Sequence, residues 1–442
     1  MSSTVPAPVP KAGIRRVAVI GAGYVGLPTA VVLSHRGHVV TVAEHDVTKF
    51  DMLCQGESPI VEQGLEKMLE DGISSGRLRF VRDAGEAVAD AEFVFLCVET
   101  PQSKSGSADL SHLAAAAESV SGHLARGAII VNKSTVPLGT VGLVERVIGR
   151  SDVAVVSNPE FLREGSAVAD SLNPERIVVG SSDRAAAVRV ADLFSDSDAP
   201  VVITDARTSE LIKYASNAFL ATKLTFINTM ASLCERVGAD SVDLVHGIGY
   251  DKRIGFEFLR PGPGWGGSCL PKDTSALVSI AKSAGFDVEI VRAAIAGNEE
   301  QMNRVVEKIR VAAGGTLDGM TIGVLGLTFK AKTDDRRNSP AISISLCLVE
   351  HGATVRAFDP TVSLGDASAI DLSHLEIFGD PYEAMRGTHV IALLTEWPEF
   401  EQLDFARVRE GVANAAIVDA RNLLEPVSLR HLGFTYTGIG RQ

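Results

Sequence analysis

The chain has 442 residues, with 45% hydrophobic and 22% charged side chains, which suits two or three globular domains and excludes disorder as the main state. Its net charge of −13 argues against a general nucleic-acid or anionic-membrane binder, so any anionic ligand must be held by a few local cations. Aromatics are only 5% beside 41 glycines, a balance that favours an Ala/Val/Gly-rich α/β protein over a carbohydrate-stacking β-protein. Residues 1–13 (MSSTVPAPVPKAG) read as a disordered tail, on their Pro, Ser and Ala content. Lys11, Arg15 and Arg16 then precede an uncharged run from Val17 to Ser34, which has the outline of a signal peptide or membrane span. Gly21, Gly23, Gly26 and Pro28 interrupt that run, and it parses better as a strand, a turn and a helix. Val17–Ile20 is the expected strand, 25–36 the helix, and Gly37 its C-cap.

Val39–Ala43, Phe93–Val98, Ile129–Asn132 and Val153–Ser157 are further apolar runs of strand length, separated by helical stretches such as 109–125. Apolar strands alternating with helices predict a parallel sheet covered on both faces. After about Thr204 the character changes. A long helical pattern covers 207–237, followed by helices at 240–247, 273–284 and 288–313, with Pro and Gly concentrated at 261–267. At Gly319 the earlier pattern restarts, with strands at Thr321–Leu325, Thr354–Phe358, His389–Leu394 and Ala416–Val418, and a helix at 339–351 ended by Gly352. IGVLGLTFK and LVEHGATVRAFD echo VAVIGAGYVG and LSHRGHVVTVAEHD near the start. The expected architecture is α/β: a tail at 1–13, a Rossmann-like domain at 14–205, a helical central segment at 206–314, and a second Rossmann-like domain at 315–442. Each Rossmann-like domain carries a doubly wound parallel sheet.

Two stretches carry chemistry. Gly21-Ala22-Gly23-Tyr24-Val25-Gly26 follows a strand and opens a helix, where backbone N–H groups can approach a pyrophosphate. Glu44 ends the next strand, roughly 20 residues on, where an acid bonds ribose hydroxyls and repels a 2′-phosphate; this selects NAD over NADP. In Trp265-Gly266-Gly267-Ser268-Cys269-Leu270-Pro271-Lys272-Asp273, glycines open access to a thiol, and Pro271 suits the first turn of a helix. The helix dipole and Lys272 would then stabilise thiolate. The other cysteines, Cys54, Cys97, Cys234 and Cys347, lie in apolar patterns and read as small core residues. An odd number of cysteines without a C-x-x-C pair points to a reducing cytoplasm.

Glu210, Lys213 and Asn217 share one face of the 207–237 helix, where Lys213 and Asn217 can touch one ligand oxygen; by spacing alone a solvated polar face is the favoured reading. Glu160, in Asn158-Pro159-Glu160-Phe161, and Thr135, in Lys133-Ser134-Thr135-Val136-Pro137, follow strand ends, where α/β active sites gather. Glu160 equally suits a helix start. Arg336 and Arg337, beside Asp334 and Asp335, read as a solvated charge cluster, whereas Arg253, Arg260, Lys330 and Arg421 stand at turns or strand ends as phosphate-binding candidates. No pair of histidines has metal-ligand spacing, so no metal is expected.

Taken together, GAGYVG (21–26), KSTVP (133–137), NPEFLREG (158–165), KYASNAF (213–219), RIGFEFLRPGPGWGGSCLPKD (253–273), GLTFK (326–330), TEWPEF (395–400) and DARN (419–422) resemble the nucleotide-sugar 6-dehydrogenases, from about Arg15 to about Pro426. The resemblance implies an NAD-dependent, four-electron oxidation of UDP-glucose at C6, through an aldehyde, a thiohemiacetal and a thioester on Cys269. It implies that Lys213 and Asn217 stabilise an oxyanion, that Asp273 activates water, and that Glu160 with Thr135 nearby serves as acid/base. Gly21, Gly23, Tyr24, Val25, Gly26, Glu44, Lys49, Thr100, Thr135, Glu164 and Lys272 would hold NAD. Phe161, Leu162, Glu164, Lys213, Asn217, Phe258, Arg260, Gly266, Phe329, Lys330 and Arg421 would bind the nucleotide sugar, and Arg253 that of a partner subunit, in a homodimer or higher homo-oligomer. Two positions depart from the family's pattern: Glu99 stands where a small or neutral residue is usual, and Arg337-Asn338 where D-D-x-R-E-[SA]-P is usual.

Alternative substrates are GDP-mannose and UDP-N-acetylmannosamine, although enzymes for the latter commonly carry His in place of Ser268. TEWPEF and DARN tilt the choice towards UDP-glucose. A two-electron hydroxyacid dehydrogenase would have no use for the GGSC thiol, and a non-catalytic NAD-sensing protein would have no need of Cys269, Lys213 and Asp273 together.

Overall fold

Both stretches of alternating apolar runs and helices form parallel sheets, each in its own unit, residues 1–215 and 216–442. The computed structural model describes residues 13–102, 108–362 and 372–441; the expected tail lies outside them except for Gly13. The boundary between the units falls inside one helix, Ala206–Val237.

The first unit carries strands β1 (Arg16–Ile20), β2 (Val39–Ala43), β3 (Leu78–Val81), β4 (Phe93–Leu96), β5 (Ile129–Asn132), β6 (Ala154–Ser157), β7 (Ile177–Gly180) and β8 (Val201–Thr204). Their order is β3-β2-β1-β4-β5-β6-β7-β8. Alternate residues of β1 and β4 feed two cores: Val17, Val19, Phe93 and Phe95 on one face, Ala18, Ile20, Val94 and Leu96 on the other. That double burial is why these strands read as unbroken apolar runs. Ile20 is in register with Ala43 and with Leu96, so the segments starting at Gly21, Glu44 and Cys97 emerge side by side. The order in which successive strands are added along the sheet reverses between β1 and β4, the switch point where ligands bind in such sheets.

One expectation of the sheet needs correction. β6 and β7 pair antiparallel through Ser157 and Gly180, while β7 and β8 run parallel to each other. The Val17–Ser34 run resolves into β1, the glycine turn and the helix Gly26–His35, and no described helix is long and apolar enough to cross a membrane.

The second unit carries β9 (Thr321–Leu325), β10 (Thr354–Phe358), β11 (Glu376–Ile377), β12 (Val390–Leu393), β13 (Ala416–Asp419) and β14 (Thr435–Gly438), all parallel, in the order β11-β10-β9-β12-β13-β14. Ile322, Val324 and Ala392 face one core and Leu325, Ile391 and Leu393 the other. Helices Ser241–Gly249, Leu270–Ser283, Glu289–Ala312 and Pro340–Glu350 belong to this unit. The Leu270–Ser283 helix starts ahead of the expected 273, which makes Cys269 its N-cap residue. Cys97 and Cys234 are buried as expected, but Cys54 is exposed at the end of a helix that buries only Leu53, and Cys347 is half-buried.

Candidate active site

In the first unit the glycine turn is set by close approach. A Cβ at Gly26 would lie 1.9 Å from the Gly21 carbonyl oxygen, so the helix can start this near the strand only with glycine there. A Cβ at Gly23 would meet nothing within 4 Å. The open face at Gly23 and the helix start beside it fit a dinucleotide pyrophosphate. Glu44 is buried, accepting from Ala22 N at 3.0 Å and from Asp46 N at 2.9 Å. Tyr24 and Val25 pack partly on the core, and Lys49 is exposed in the helix that Asp46 caps. Thr100 donates its hydroxyl to Thr135 O at 2.8 Å, locking the segments after β4 and β5 together.

The 158–167 segment follows β6. Glu160 is buried; its Oε1 accepts from Lys213 Nζ at 2.7 Å and its Oε2 from Leu162 N at 2.6 Å. Burial alone would raise this carboxyl, but the Lys213 charge and hydrogen bond, the Leu162 N–H and the Lys133 charge outweigh it and hold the group below its ordinary value. Glu160 is thus not a helix-start residue, and Lys213 does not belong to a solvated face. Phe161 lies under two cations, Arg176 at 3.8 Å and Lys213 at 5.5 Å from its ring centre.

Glu210, on the same helix, is buried too. It accepts from Gly139 N at 2.5 Å and Val141 N at 3.0 Å, capping the helix Thr140–Ile148, whose own N-cap is a glycine. Burial raises the Glu210 carboxyl despite those two N–H donors. Glu62 does the same for the 158–167 segment, accepting from Gly165 N at 2.5 Å and Ala167 N at 3.0 Å.

In the second unit the thiol-bearing loop is pinned from two helices. Asn298 brackets Trp265, accepting from its N at 2.7 Å and donating to its O at 2.9 Å; Trp265 Nε1 donates to Thr225 Oγ1 at 2.9 Å. Asn228 accepts from Gly262 N at 2.8 Å and Gln301 donates to Gly262 O at 2.8 Å. A Cβ at Gly266 would lie 2.1 Å from Asn338 O, so the loop also rests directly on the 336–340 segment. Asn338 itself has φ 50°, a conformation asparagine tolerates, and donates to Gly267 O at 3.4 Å. The charge cluster there is not simply solvated: Asp335 is buried and accepts from Arg337 Nε at 2.8 Å.

Cys269 Sγ lies 3.4 Å from Ser268 Oγ. Asp273, fully buried one turn into the helix, accepts from Asn217 Nδ2 at 2.6 Å and from Lys272 Nζ at 2.6 Å. The Lys272 ammonium is therefore directed to Asp273, and the helix start is the feature that favours charge on the sulfur.

Family models match in three consecutive blocks, each of the UDP-glucose/GDP-mannose dehydrogenase family: the NAD binding domain at residues 15–198, the central domain at 207–300 and the UDP binding domain at 323–426. The chain belongs to the UDP-glucose/GDP-mannose dehydrogenase family. It is 43% identical over 433 residues to UDP-glucose 6-dehydrogenase TuaD of Bacillus subtilis, covering 97% of this chain and 94% of that protein. It is 44% identical over 436 residues to the UDP-glucose 6-dehydrogenase of Rhizobium meliloti, covering 96% and 99% of the two. The solved structure of a UDP-glucose dehydrogenase from the hyperthermophilic archaeon Pyrobaculum islandicum aligns with a TM-score of 0.89 at 36% identity, covering 100% of both chains.

In this dehydrogenase the remaining expected positions fall as follows. Phe329 and Lys330 follow β9, half-buried, with the Phe329 ring against Gly267. Arg421 is spent inside the second unit, donating to Leu394 O at 2.9 Å and Phe329 O at 2.7 Å, and pairing with Glu396 at 3.0 Å. It braces the Phe329 segment. Phe258 has φ 60°, a strained backbone for an aromatic residue and a mark of a constrained site. Arg260 is exposed, and Arg253 is exposed and paired with Asp251 at 2.6 Å. Glu164 and Leu162 are half-buried in the first unit. The described residues hold no group of three or more His, Cys, Asp and Glu placed to take a metal.

Sequence reasoning missed Glu62, Asn228, Asn298 and Gln301. Each is an isolated polar residue whose partner lies 33 or more positions away, at distances in sequence such as 103 for Glu62 and Gly165. No local pattern flags such a residue.

Proposed function

We propose that the chain oxidises UDP-glucose at C6 to UDP-glucuronate in two two-electron steps, with NAD as oxidant and a thioester on Cys269 between them. The observation that carries the reading is the thiol at the start of a helix whose first turn holds a buried Asn217–Asp273–Lys272 network. Two molecules of NAD, bound one after the other, would each accept one hydride.

Glu160, kept ionised by Lys213, takes the C6 hydroxyl proton through a water, with Thr135 beside that path. Cys269 Sγ adds to the resulting aldehyde carbon, and Lys213 and Asn217, one turn apart on their helix, donate to the developing oxyanion. The same carbon, oxidised again while bonded to sulfur, becomes a thioester. Asp273, fixed by Asn217 and Lys272, orients the water that releases the carboxylate and returns the thiol. Phe258, Arg260, Phe329 and Lys330 hold the nucleotide, with Arg421 bracing the Phe329 segment, and Gly21 to Gly26 with Glu44 hold NAD.

The working assembly in this reading is a homodimer or larger homo-oligomer. Phe219, Phe226 and Leu233 recur every seventh residue on the long helix and are 69%, 49% and 49% exposed, an apolar row suited to a second copy. Arg253 then reaches the partner's substrate. A reducing cytoplasm is the compartment that keeps the Cys269 thiol available.

The test is stoichiometry. Purified protein is supplied separately with UDP-glucose, GDP-mannose and UDP-N-acetylmannosamine, and NADH and acid product are counted. The reading requires two NADH and one UDP-glucuronate per UDP-glucose. Two NADH on another sugar alone would change the substrate, and one NADH per sugar would remove the thioester.

A further inference from the structure

Lys133, the first residue after β5, has no part in the scheme above, yet it is only 8% exposed. Lysines buried to this degree are normally paired with a carboxylate. Here Nζ donates to a neutral group, Asn158 Oδ1, at 3.2 Å, and stands 5.9 Å from the Phe194 ring centre. The Asn158 amide is fixed from its other end, because Nδ2 donates to Val178 O at 2.8 Å across to β7. Its oxygen is thereby turned to Lys133. Two residues further on is Glu160.

The charged and titratable groups around Lys133 are Cys97 after β4, Glu160 after β6, Lys213 on the long helix and Arg36 at the end of the Gly26–His35 helix. Burial pushes the Cys97 thiol up to about 12, which leaves Glu160 as the single anion of this set at neutral pH. Burial lowers Lys133 from its ordinary value, and the Glu160 charge opposes that shift. Two lysines from different elements, with Arg36 as a third cation, therefore surround one buried carboxylate, and positive charge exceeds negative in the cluster.

We propose that Lys133 is a positioning residue for this reaction: through Asn158 it fixes the turn that presents Glu160, and through its charge it keeps Glu160 a proton acceptor. The inference rests on the acid/base role given to Glu160 above. Activity falls as pH drops through the value at which Glu160 takes a proton. Removing a neighbouring positive charge raises that value, so the acid limb of the rate profile moves to higher pH.

The experiment is the pH profile of kcat/KM for UDP-glucose in wild type, Lys133→Gln, Lys133→Arg, Asn158→Asp and Glu160→Gln. Lys133→Gln removes the charge, and its acid limb is expected about one unit or more above wild type, a loss of roughly tenfold at a pH within the limb. Lys133→Arg keeps the charge and is expected to keep the limb in place. Asn158→Asp neutralises the ammonium without emptying the site and moves the limb the same way, so it carries the test if Lys133→Gln does not fold. A limb that stays at the wild-type position in either folded variant, while Glu160→Gln abolishes it, overturns the role of Lys133. A limb that survives in Glu160→Gln overturns the role of Glu160 instead, and the two failures are thus distinguishable.

Discussion

The two sheets open alike, with a strand, a glycine turn and an acid at the end of the next strand, yet the acids do different things. Glu44 in the first unit accepts from two backbone N–H groups, Ala22 and Asp46, which leaves acceptor capacity on a carboxylate able to take about four hydrogen bonds. Asp359 in the second accepts from Leu327 N, Thr328 N, Thr328 Oγ1 and Trp397 Nε1 on one oxygen, and from Thr361 N and Oγ1 on the other. The turns differ in the same sense. The first glycine is packed in both turns, at Gly21 and at Gly326, but a Cβ at Gly23 would meet open space, whereas its counterpart after β9 is Thr328, whose hydroxyl donates to Asp359 at 3.2 Å. The position that suits a ribose diol in one unit is an internal staple in the other. A repeated fold thus does not repeat its ligand, and what saturates the acid decides which it will be.

The sharpest way to break this comparison is to remove the saturated acid. Asp359→Ala strands several buried donors and is expected to cost about 3 kcal/mol or more, seen as a large drop in melting temperature with NAD affinity unchanged. Weakened NAD binding at an unchanged melting temperature would make Asp359 a ligand group and erase the distinction. Glu44→Gln is expected to do the reverse, weakening NAD roughly tenfold or more by titration, for the loss of a charged acceptor worth about 1.5–3 kcal/mol, with a smaller change in melting.

The glycines sharpen the contrast between open and packed loops. Gly266→Ala presses a methyl onto Asn338 O and is expected to cost about 1–3 kcal/mol and slow turnover. Gly23→Ala should melt within about 0.5 kcal/mol of wild type while raising the KM for NAD. Equal melting shifts for the two would contradict the packing described here. Trp397→Phe, which removes the indole donor to Asp359 and Thr328, is expected to cost about 1 kcal/mol, well below Asp359→Ala.

Much of this was legible in the sequence where the signal is local. GAGYVG with Glu44 is legible because strand, turn and acid lie within one βα unit, and Cys269 because Pro271 and the glycines before it mark a helix start. β7 and β8 were not anticipated. They are only four residues each, β8 is partly exposed, and a lone antiparallel pair joins them to the sheet. Spacing alone placed Lys213 and Glu210 on a solvated face. Both are buried because their partners, Glu160 and the Gly139–Val141 helix start, come from segments 53 and 69–71 residues away. Asn338 looked like a departure from the family pattern, and the left-handed backbone at that position explains why asparagine is at ease there.

The most direct measurement is to look for the sugar on the sulfur. Asp273→Asn protein, in which release by water is slowed, would be mixed with UDP-glucose and NAD, quenched in acid and digested for mass spectrometry. The account predicts a uronyl adduct on the peptide carrying Cys269, absent from Cys269→Ser protein. Two NADH per sugar from Cys269→Ser protein, with no adduct on any cysteine, would contradict it.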